Sequence, residues 1–253
     1  MKKKITICLA VVLTVALAIS VLTACSLFGG DNNQSNNNNN QNETKTLNAS
    51  ESSSELRKAI TASSAKDNYS IKIVGHADEG MSSVVNIEHD SDTQHITATS
   101  TQDFLGVTTN IYNETYLFTS DGKNYITTRV SQSGSFTAPR LLATQADYDG
   151  AATGYMLSTF ANNFTLDASA EVTYEGTKKG TDVSVTATTV AEVSGDRTEL
   201  FTAYTIKNGL IVSMLQRVSE YDDTGASSVK SEQEFTFKYD IGAVELAAGI
   251  TVD

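Results

Sequence analysis

Three histidines and a short run of acidic residues are the first side chains in this sequence that could bind a metal. His89 and His95 have Asp90 and Asp92 between them, whereas His76 stands apart. Imidazole and carboxylate groups are common zinc ligands, and a hairpin could bring these four side chains together. The spacing fixes no third firm ligand, and acidic turn residues often stand beside histidine by chance. We therefore expect no metal site here.

Other signatures of catalysis or ion binding are weak. Asp147-x-Asp149-Gly150 begins like a calcium-binding loop, but its twelfth position is Ser158, where a bidentate glutamate is needed. The sequence contains no Gly-x-Ser-x-Gly, no phosphate-binding glycine loop and no His-Glu-x-x-His. No pairing of a nucleophile with a base is visible. We therefore expect no catalytic residues, no cofactor and no enzymatic activity.

The strongest chemical signal lies at Cys25. Lys2-Lys3-Lys4 precedes an apolar run from Ile5 to Leu22, and the run ends in Leu22-Thr23-Ala24-Cys25. A charged tip, an apolar run and small residues before a cut are the pattern of a secretory signal peptide. The last four residues resemble the lipobox of bacterial lipoproteins, in which the peptidase cuts between Ala24 and Cys25 and the thiol receives a diacylglycerol. The alternative is an uncleaved anchor, because a run of about 18 residues is near the lower limit for spanning a bilayer.

The lipobox resemblance implies a location. A lipidated Cys25 would hold the protein on the outer face of the cell membrane, since two acyl chains anchor a protein stably. The host would be bacterial, and the Asn-rich stretch that follows favours a Gram-positive one. Cys8 would leave with residues 1–24, so neither a disulfide nor a free thiolate is expected.

The charge balance limits the direct partners of the folded part. The 253 residues carry a formal net charge of −12, and removing Lys2, Lys3 and Lys4 from 18 basic residues leaves 15 against 30 acidic ones. Such a balance disfavours nucleic acid and anionic lipid surfaces as partners. The remaining length of about 200 residues suffices for one domain with its own core.

Composition divides the chain into a signal peptide at 1–24, a lipidated cysteine with a disordered tether at 25–50, and one β-rich domain at 51–253. The tether is an Asn/Gln/Ser run that cannot bury enough apolar surface to order itself. Ser52-Ser53-Ser54-Glu55 then predicts a capping box that opens a short helix. Leu56 and Ile60 would lie on one face of that helix, which should end between 64 and 67.

Alternating apolar and polar residues predict two β-meanders after the helix. Met81 to His89 is one predicted strand, and Asp121-Gly122 and Asn208-Gly209 predict tight hairpin turns because these residue types tolerate positive φ. Val107 to Tyr112 and Thr115 to Ser120 are expected as separate strands. A hairpin loop is expected over 176–180. The aromatic residues of this region favour cross-strand packing over a stacking platform for sugar or lipid.

The alternation breaks between the two meanders. Between Pro139 and Phe164, apolar residues recur without the period of a strand. This stretch predicts one or two short helices, such as Tyr155 to Asn162, joined by a loop at Asp149-Gly150. The order of elements is therefore helix, antiparallel meander, short helical insert and second meander.

This order resembles the lipoprotein-carrier fold of LolA and of the mycobacterial lipoproteins LppX and LprG, over roughly residues 52–240. The resemblance implies a mainly β (α+β) fold, in which a strongly curved antiparallel β-meander forms a half-barrel beside an N-terminal helix and a short helical insert. In that family, helices close the mouth of the half-barrel over a hydrophobic cavity for acyl chains. Carried over by position, the lid residues are Leu141, Leu142, Tyr155, Met156 and Phe160, and the lining residues are Val85, Ile87, Ile111 and Phe118. The strands of this sequence are richer in Thr and Ser than those of the family. A smaller cavity, or a closed core without one, therefore remains an alternative.

Two functions follow as expectations. The first is a membrane-anchored extracytoplasmic lipoprotein that binds or senses an apolar, lipid-like ligand without catalysis. The alternative is a cell-envelope protein-interaction or stress-sensing module with a filled core, whose partner would be another envelope protein. A solute-binding protein would need alternating βα units, which the sequence lacks. The presence or absence of a cavity distinguishes the first two functions.

Overall fold

The computed structural model describes residues 43–77, 80–104, 107–152, 172–193, 196–222 and 224–252. The helices in these ranges are α1 (Ala49–Ser64) and α2 (Gln145–Ala152). The strands are β1 (Lys45–Leu47), β2 (Tyr69–Ala77), β3 (Met81–His89), β4 (Thr93–Phe104), β5 (Val107–Ser120), β6 (Lys123–Arg129), β7 (Arg140–Leu142), β8 (Val172–Lys179), β9 (Asp182–Val193), β10 (Asp196–Lys207), β11 (Leu210–Tyr221) and β12 (Ser227–Tyr239). No helix within these ranges is long and apolar enough to cross a bilayer.

The strands form one antiparallel sheet in the order β1-β8-β9-β10-β11-β12-β2-β3-β4-β5-β6-β7. The sheet is open rather than closed into a barrel, and one face carries the hydrophobic core and both helices. The predicted fold class, a mainly β fold with an N-terminal helix and a short helical piece, is confirmed. Pairing of β12 with β2, as at Phe235 and Ile73, joins the two predicted meanders into one sheet.

The predicted hairpin turns are confirmed by their backbone angles. Asp121 and Gly122 have φ of 49° and 69°, and Asn208 and Gly209 have φ of 51° and 78°. Two consecutive residues with positive φ are the requirement of the tight turn whose twist matches that of the flanking strands. The predicted strand Met81–His89 has the same bounds in the structure.

Side chains alternate between the two faces of each strand. We call the face that carries α1 and α2 the core face, and the other the outer face. Helix α1 packs across β8 to β11, and α2 packs on β5 to β7. Leu56 of α1 is buried and Ile60 packs against the same cluster, as the sequence predicts.

The start of α1 differs from the prediction. The Asn48 side chain accepts a hydrogen bond from the Glu51 amide at 2.9 Å, and the Glu51 carboxylate accepts one from the Asn48 amide at 3.0 Å. These two bonds form the capping box, so the predicted box at Ser52 is wrong and Ser52 lies buried inside the helix. Asparagine caps helices as well as serine does.

Ordered structure also begins before position 51. Strand β1 pairs with β8, for example at Leu47 and Gly176, and it directly precedes the cap of α1. Residues 45–50 therefore belong to the folded domain, and the predicted end of the tether at position 50 is wrong. The backbone hydrogen bonds of a sheet edge order these residues, which a composition argument cannot detect.

Three further local predictions are wrong. Strand β5 is continuous over Val107–Ser120, because its pairing with β4 is uninterrupted. Gly176 lies inside β8, and the hairpin turns instead at Gly180, where φ is 60°. Asp149-Gly150 lies within α2, which begins where Asp147 and Thr144 exchange hydrogen bonds. The predicted helix from Tyr155 to Asn162 lies outside the described residues.

Candidate ligand site

Large apolar side chains fill the core face around the first half of β2. Cross-strand pairing places Ile71, Ile87 and Ile96 side by side on β2, β3 and β4. Phe237 of β12 lies beside Ile71. Ile87 is 0% exposed, and the three others are buried as well. We call Ile71, Ile87 and Ile96 the isoleucine row.

Core-face side chains become smaller along the same three strands. The next row consists of Ile73, Val85 and Ala98, and the row after it consists of Gly75, Ser83 and Ser100. We call this last set the serine row. Gly75 allows close packing here, because a Cβ on it would lie 2.8 Å from the Ser83 hydroxyl oxygen. The core face therefore loses side-chain volume steadily from the isoleucine row to the serine row.

This loss of volume leaves a cleft of about 240 Å³. Apolar side chains of its lining are Met81, Val85, Ala98 and Ile111, and uncharged polar ones are Ser83, Ser100, Gln102, Asn113 and Gln233. An apolar concavity with a few polar groups is typical of small-molecule sites, whose volumes are usually about 300–1,000 Å³. At about 240 Å³ the cleft is slightly smaller than this range, so it suits a small ligand or a short part of a longer one.

The structure separates the four predicted lining residues. Val85 and Ile111 line the cleft, and Ile111, 57% exposed, lies at its rim. Ile87 belongs to the filled core instead. Phe118 lies on the outer face, so the prediction that it shares a cavity with Ile111 is wrong. The reason is the two-residue period of a strand, which puts positions seven apart on opposite faces.

The predicted lid residues also separate. Leu142 is buried in the core, whereas its neighbour Leu141 is half-exposed and pairs with Tyr125 on the outer face. Adjacent residues of a strand cannot both face one cavity, and both leucines lie in β7 rather than in a helix. Tyr155, Met156 and Phe160 lie outside the described residues.

A second cluster, which the sequence analysis missed, lies on the outer face around Glu114. This carboxylate is 4% exposed and accepts hydrogen bonds from the Tyr112 hydroxyl and from Arg129 Nε at 2.5 Å. His95 Nε2 lies 3.0 Å from its other oxygen. Burial alone would raise the pKa of Glu114, but the hydrogen bonds from Tyr112, Arg129 and His95 outweigh burial and lower it.

Aromatic rings cover this outer-face cluster. The His95 and Tyr116 rings stack with centroids 4.2 Å apart, and the Arg129 guanidinium lies 4.6 Å from the centroid of Phe136. Phe118 stacks on Tyr125 at 5.6 Å, which is the predicted cross-strand packing. The alternation of β5 could have revealed the cluster, because it gathers the even-numbered residues from 112 to 118 on one face. Since Glu114 already has three partners, the cluster is a structural anchor rather than an open site.

The two histidines considered as metal ligands lie on opposite faces. His89 packs against Tyr69 on the core face, with ring centroids 5.0 Å apart, whereas His95 lies in the outer-face cluster. A shared metal ion between them is therefore impossible. Within the described ranges, no group of three His, Cys, Asp or Glu residues is placed to hold a metal.

No protein-family model matches the chain, and no curated protein matches it either.

Proposed function

We propose that this chain is a membrane-anchored extracytoplasmic lipoprotein whose β domain binds a small apolar or amphipathic ligand in the cleft, without catalysis. The observation that carries the proposal is the loss of side-chain volume from the isoleucine row to the serine row. If stability alone determined these side chains, we would expect large apolar residues like those of the isoleucine row in the following rows of β2, β3 and β4 as well. Instead, glycine and serine occupy the core face beside the apolar side chains of Met81 and Ile111.

The size and lining of the cleft favour a short aliphatic chain. Each CH₂ group that leaves water for an apolar site contributes about 0.8 kcal/mol. Met81, Val85 and Ala98 provide apolar contacts along one side, and the exposed Ile111 would lose contact with water when a ligand binds. The nearby hydroxyl and amide groups could hydrogen-bond the polar end of the ligand.

Native mass spectrometry of the purified full chain tests the proposal. We expect the parent protein to carry a small-molecule mass that organic solvent releases. Ser100→Leu should abolish this mass, because the larger side chain would occupy the cleft. Thr236→Leu is the matched control, since this exposed residue lies on the outer face of β12 and should leave binding unchanged.

The alternative function, a protein-interaction or stress-sensing module in the cell envelope, draws support from the filled half of the core face. Ile87 and the other members of the isoleucine row leave no space for a ligand there. A parent protein that carries no extra mass, and takes up none when incubated with lipids, would favour this alternative.

The proposed anchor is Cys25, with cleavage after Ala24. The anchor would place the domain on the outer face of the membrane of a bacterium, and the asparagine-rich segment after it again favours a Gram-positive host. Cys25→Ser should release the protein into the medium or leave it unprocessed, as fractionation followed by intact-mass measurement would reveal. Fully processed Cys25→Ser protein that stayed in the membrane would refute lipidation as the anchor.

A further inference from the structure

Charged side chains are confined to one face in the middle of the sheet. In β2, β3, β4, β5 and the 231–239 part of β12, the core-face positions contain no Lys, Arg, Asp or Glu. The charged residues of the same segments occupy the outer face, namely Lys72, Glu88, Asp103, Glu114, Glu232, Glu234 and Lys238. Over the described core-face positions of these strands, the surface around the cleft therefore contains hydroxyl, amide and apolar groups but no ionised carboxylate, ammonium or guanidinium.

The only histidine in the cleft lining does not alter this pattern. His76 has an even position in β2, so its side chain belongs to the outer face, where Glu232 is its cross-strand neighbour. Just before this part of β12, Lys230 pairs with Glu220 of β11 at 3.8 Å. No unpartnered charge on the described core face of these strands could therefore neutralise an ionic ligand.

We propose that the cleft selects uncharged amphiphiles, with an aliphatic chain and a hydroxyl, ester or amide head, over anions with the same chain. The inference rests on the proposed ligand-binding function and names the ligand class. A charge taken from water needs a partner or it is strongly disfavoured. The neutral side chains of Gln102, Asn113 and Gln233 can each donate and accept hydrogen bonds, which suits a neutral head.

Binding of monodecanoylglycerol and of decanoate tests this selection, because the two share one acyl chain. Titration calorimetry uses the full chain held in amphipol, which keeps detergent away from the cleft. At about pH 8 we expect the neutral ester to bind at least about tenfold more tightly than the anion. The preference should narrow towards pH 5, because a carboxylic acid with an ordinary pKa of about 4–5 is then partly protonated.

A charge placed in the cleft should reverse the preference. Gln233→Lys introduces an ammonium into the lining and should strengthen decanoate binding at pH 8 while weakening that of the ester. Thr236→Lys adds the same charge to the outer face of the same strand and should leave the preference as in the parent. The Thr236→Lys control separates a local effect from a change in net charge.

The outcomes distinguish the two proposals. Equal or tighter binding of decanoate by the parent would overturn the selection for neutral ligands and leave ligand binding intact. Equal effects of Gln233→Lys and Thr236→Lys would also overturn it, because the lining would then not set the preference. No binding of either compound, together with no co-purified mass, would overturn both proposals.

Discussion

The isoleucine row and the serine row lie on the same three strands, yet the isoleucine row is buried and tightly filled, whereas the serine row lines a cleft. Their backbones pair in the same unbroken register across β2, β3 and β4. The difference is the side chains, which change from isoleucine at positions 71, 87 and 96 to glycine and serine at 75, 83 and 100. Sheet pairing and core filling are therefore independent in this protein.

This independence has a physical basis. Backbone hydrogen bonds hold the strands together whatever the side chains are, whereas a packed interior requires side-chain volumes that fill the space between elements. One sheet can therefore supply stability in one half and binding space in the other. Substitutions in the two halves should have opposite consequences, which provides a set of tests.

The largest effect is expected in the isoleucine row. Ile87→Ala removes methyl and methylene groups from a fully buried site and should lower the free energy of unfolding by about 2–5 kcal/mol. Ser83→Ala, on the same strand in the serine row, should change it by less than about 0.5 kcal/mol. Urea denaturation of both variants measures the contrast. Equal losses would mean that the two rows do not differ in packing.

A smaller loss is expected where α1 meets the edge of the sheet. A Cβ on Gly176 would lie 2.7 Å from the Ser52 hydroxyl oxygen and 3.1 Å from the Ser184 carbonyl oxygen. Gly176→Ala should therefore push the helix away from β8 and cost about 1–3 kcal/mol. Thr177→Ala, at an exposed neighbouring position, is the control for thermal unfolding. A variant as stable as the parent would show that α1 can shift without loss of packing.

Filling the cleft should have the opposite sign. Ser100→Val places a larger, β-branched side chain in the serine row and should raise the free energy of unfolding by about 0.5 kcal/mol. The same variant should weaken ligand binding, because it occupies the cleft. Denaturation and native mass spectrometry on one preparation measure both effects. A destabilised variant would show that the serine row is already fully packed.

The smallest effect is a pH dependence confined to the filled half. Burial lowers the pKa of His89, although Asp90 and Asp67 oppose the shift. Between this lowered pKa and the unfolded-state value of about 6.5, the unfolded chain binds more protons. Stability should therefore fall slightly as the pH drops below about 6.5. In His89→Phe the urea midpoint of unfolding should change less between pH 7.5 and 5.5 than it does in the parent. An unchanged pH dependence of the midpoint would assign the effect to other groups.

Sequence reasoning succeeded where the determining interactions are local. Asp121-Gly122 and Asn208-Gly209 predict their turns because the tolerance of positive φ is a property of these residue types. It failed at Asn48, where several Ser and Asn residues offered competing caps. Glycine at position 176 predicts a loop, whereas its role in the structure, close packing against Ser52, depends on a helix distant in sequence.

The candidate site was harder to predict than the fold. The lipoprotein-carrier resemblance predicts Val85, Ile111 and Phe118 as lining residues; Val85 and Ile111 do line the cleft, but the alternation of β5 places Phe118 on the other face. The decrease in side-chain volume from the isoleucine row to the serine row is present in the sequence. It becomes visible only when the register between β2, β3 and β4 is known, and the register follows from the hairpin turns and the hydrophobic face together.

The pairing of β12 with β2 also has a consequence for how the chain acquires its structure. The hairpins of either half can form early, because their partners are neighbours in sequence, but the middle of the sheet must wait until β12, which lies far from β2 in sequence, has been synthesised. Until then β2 and β11 are open edges that can recruit strands from other chains. We therefore expect slow, late closure, and a period in which the newly made protein needs protection from aggregation.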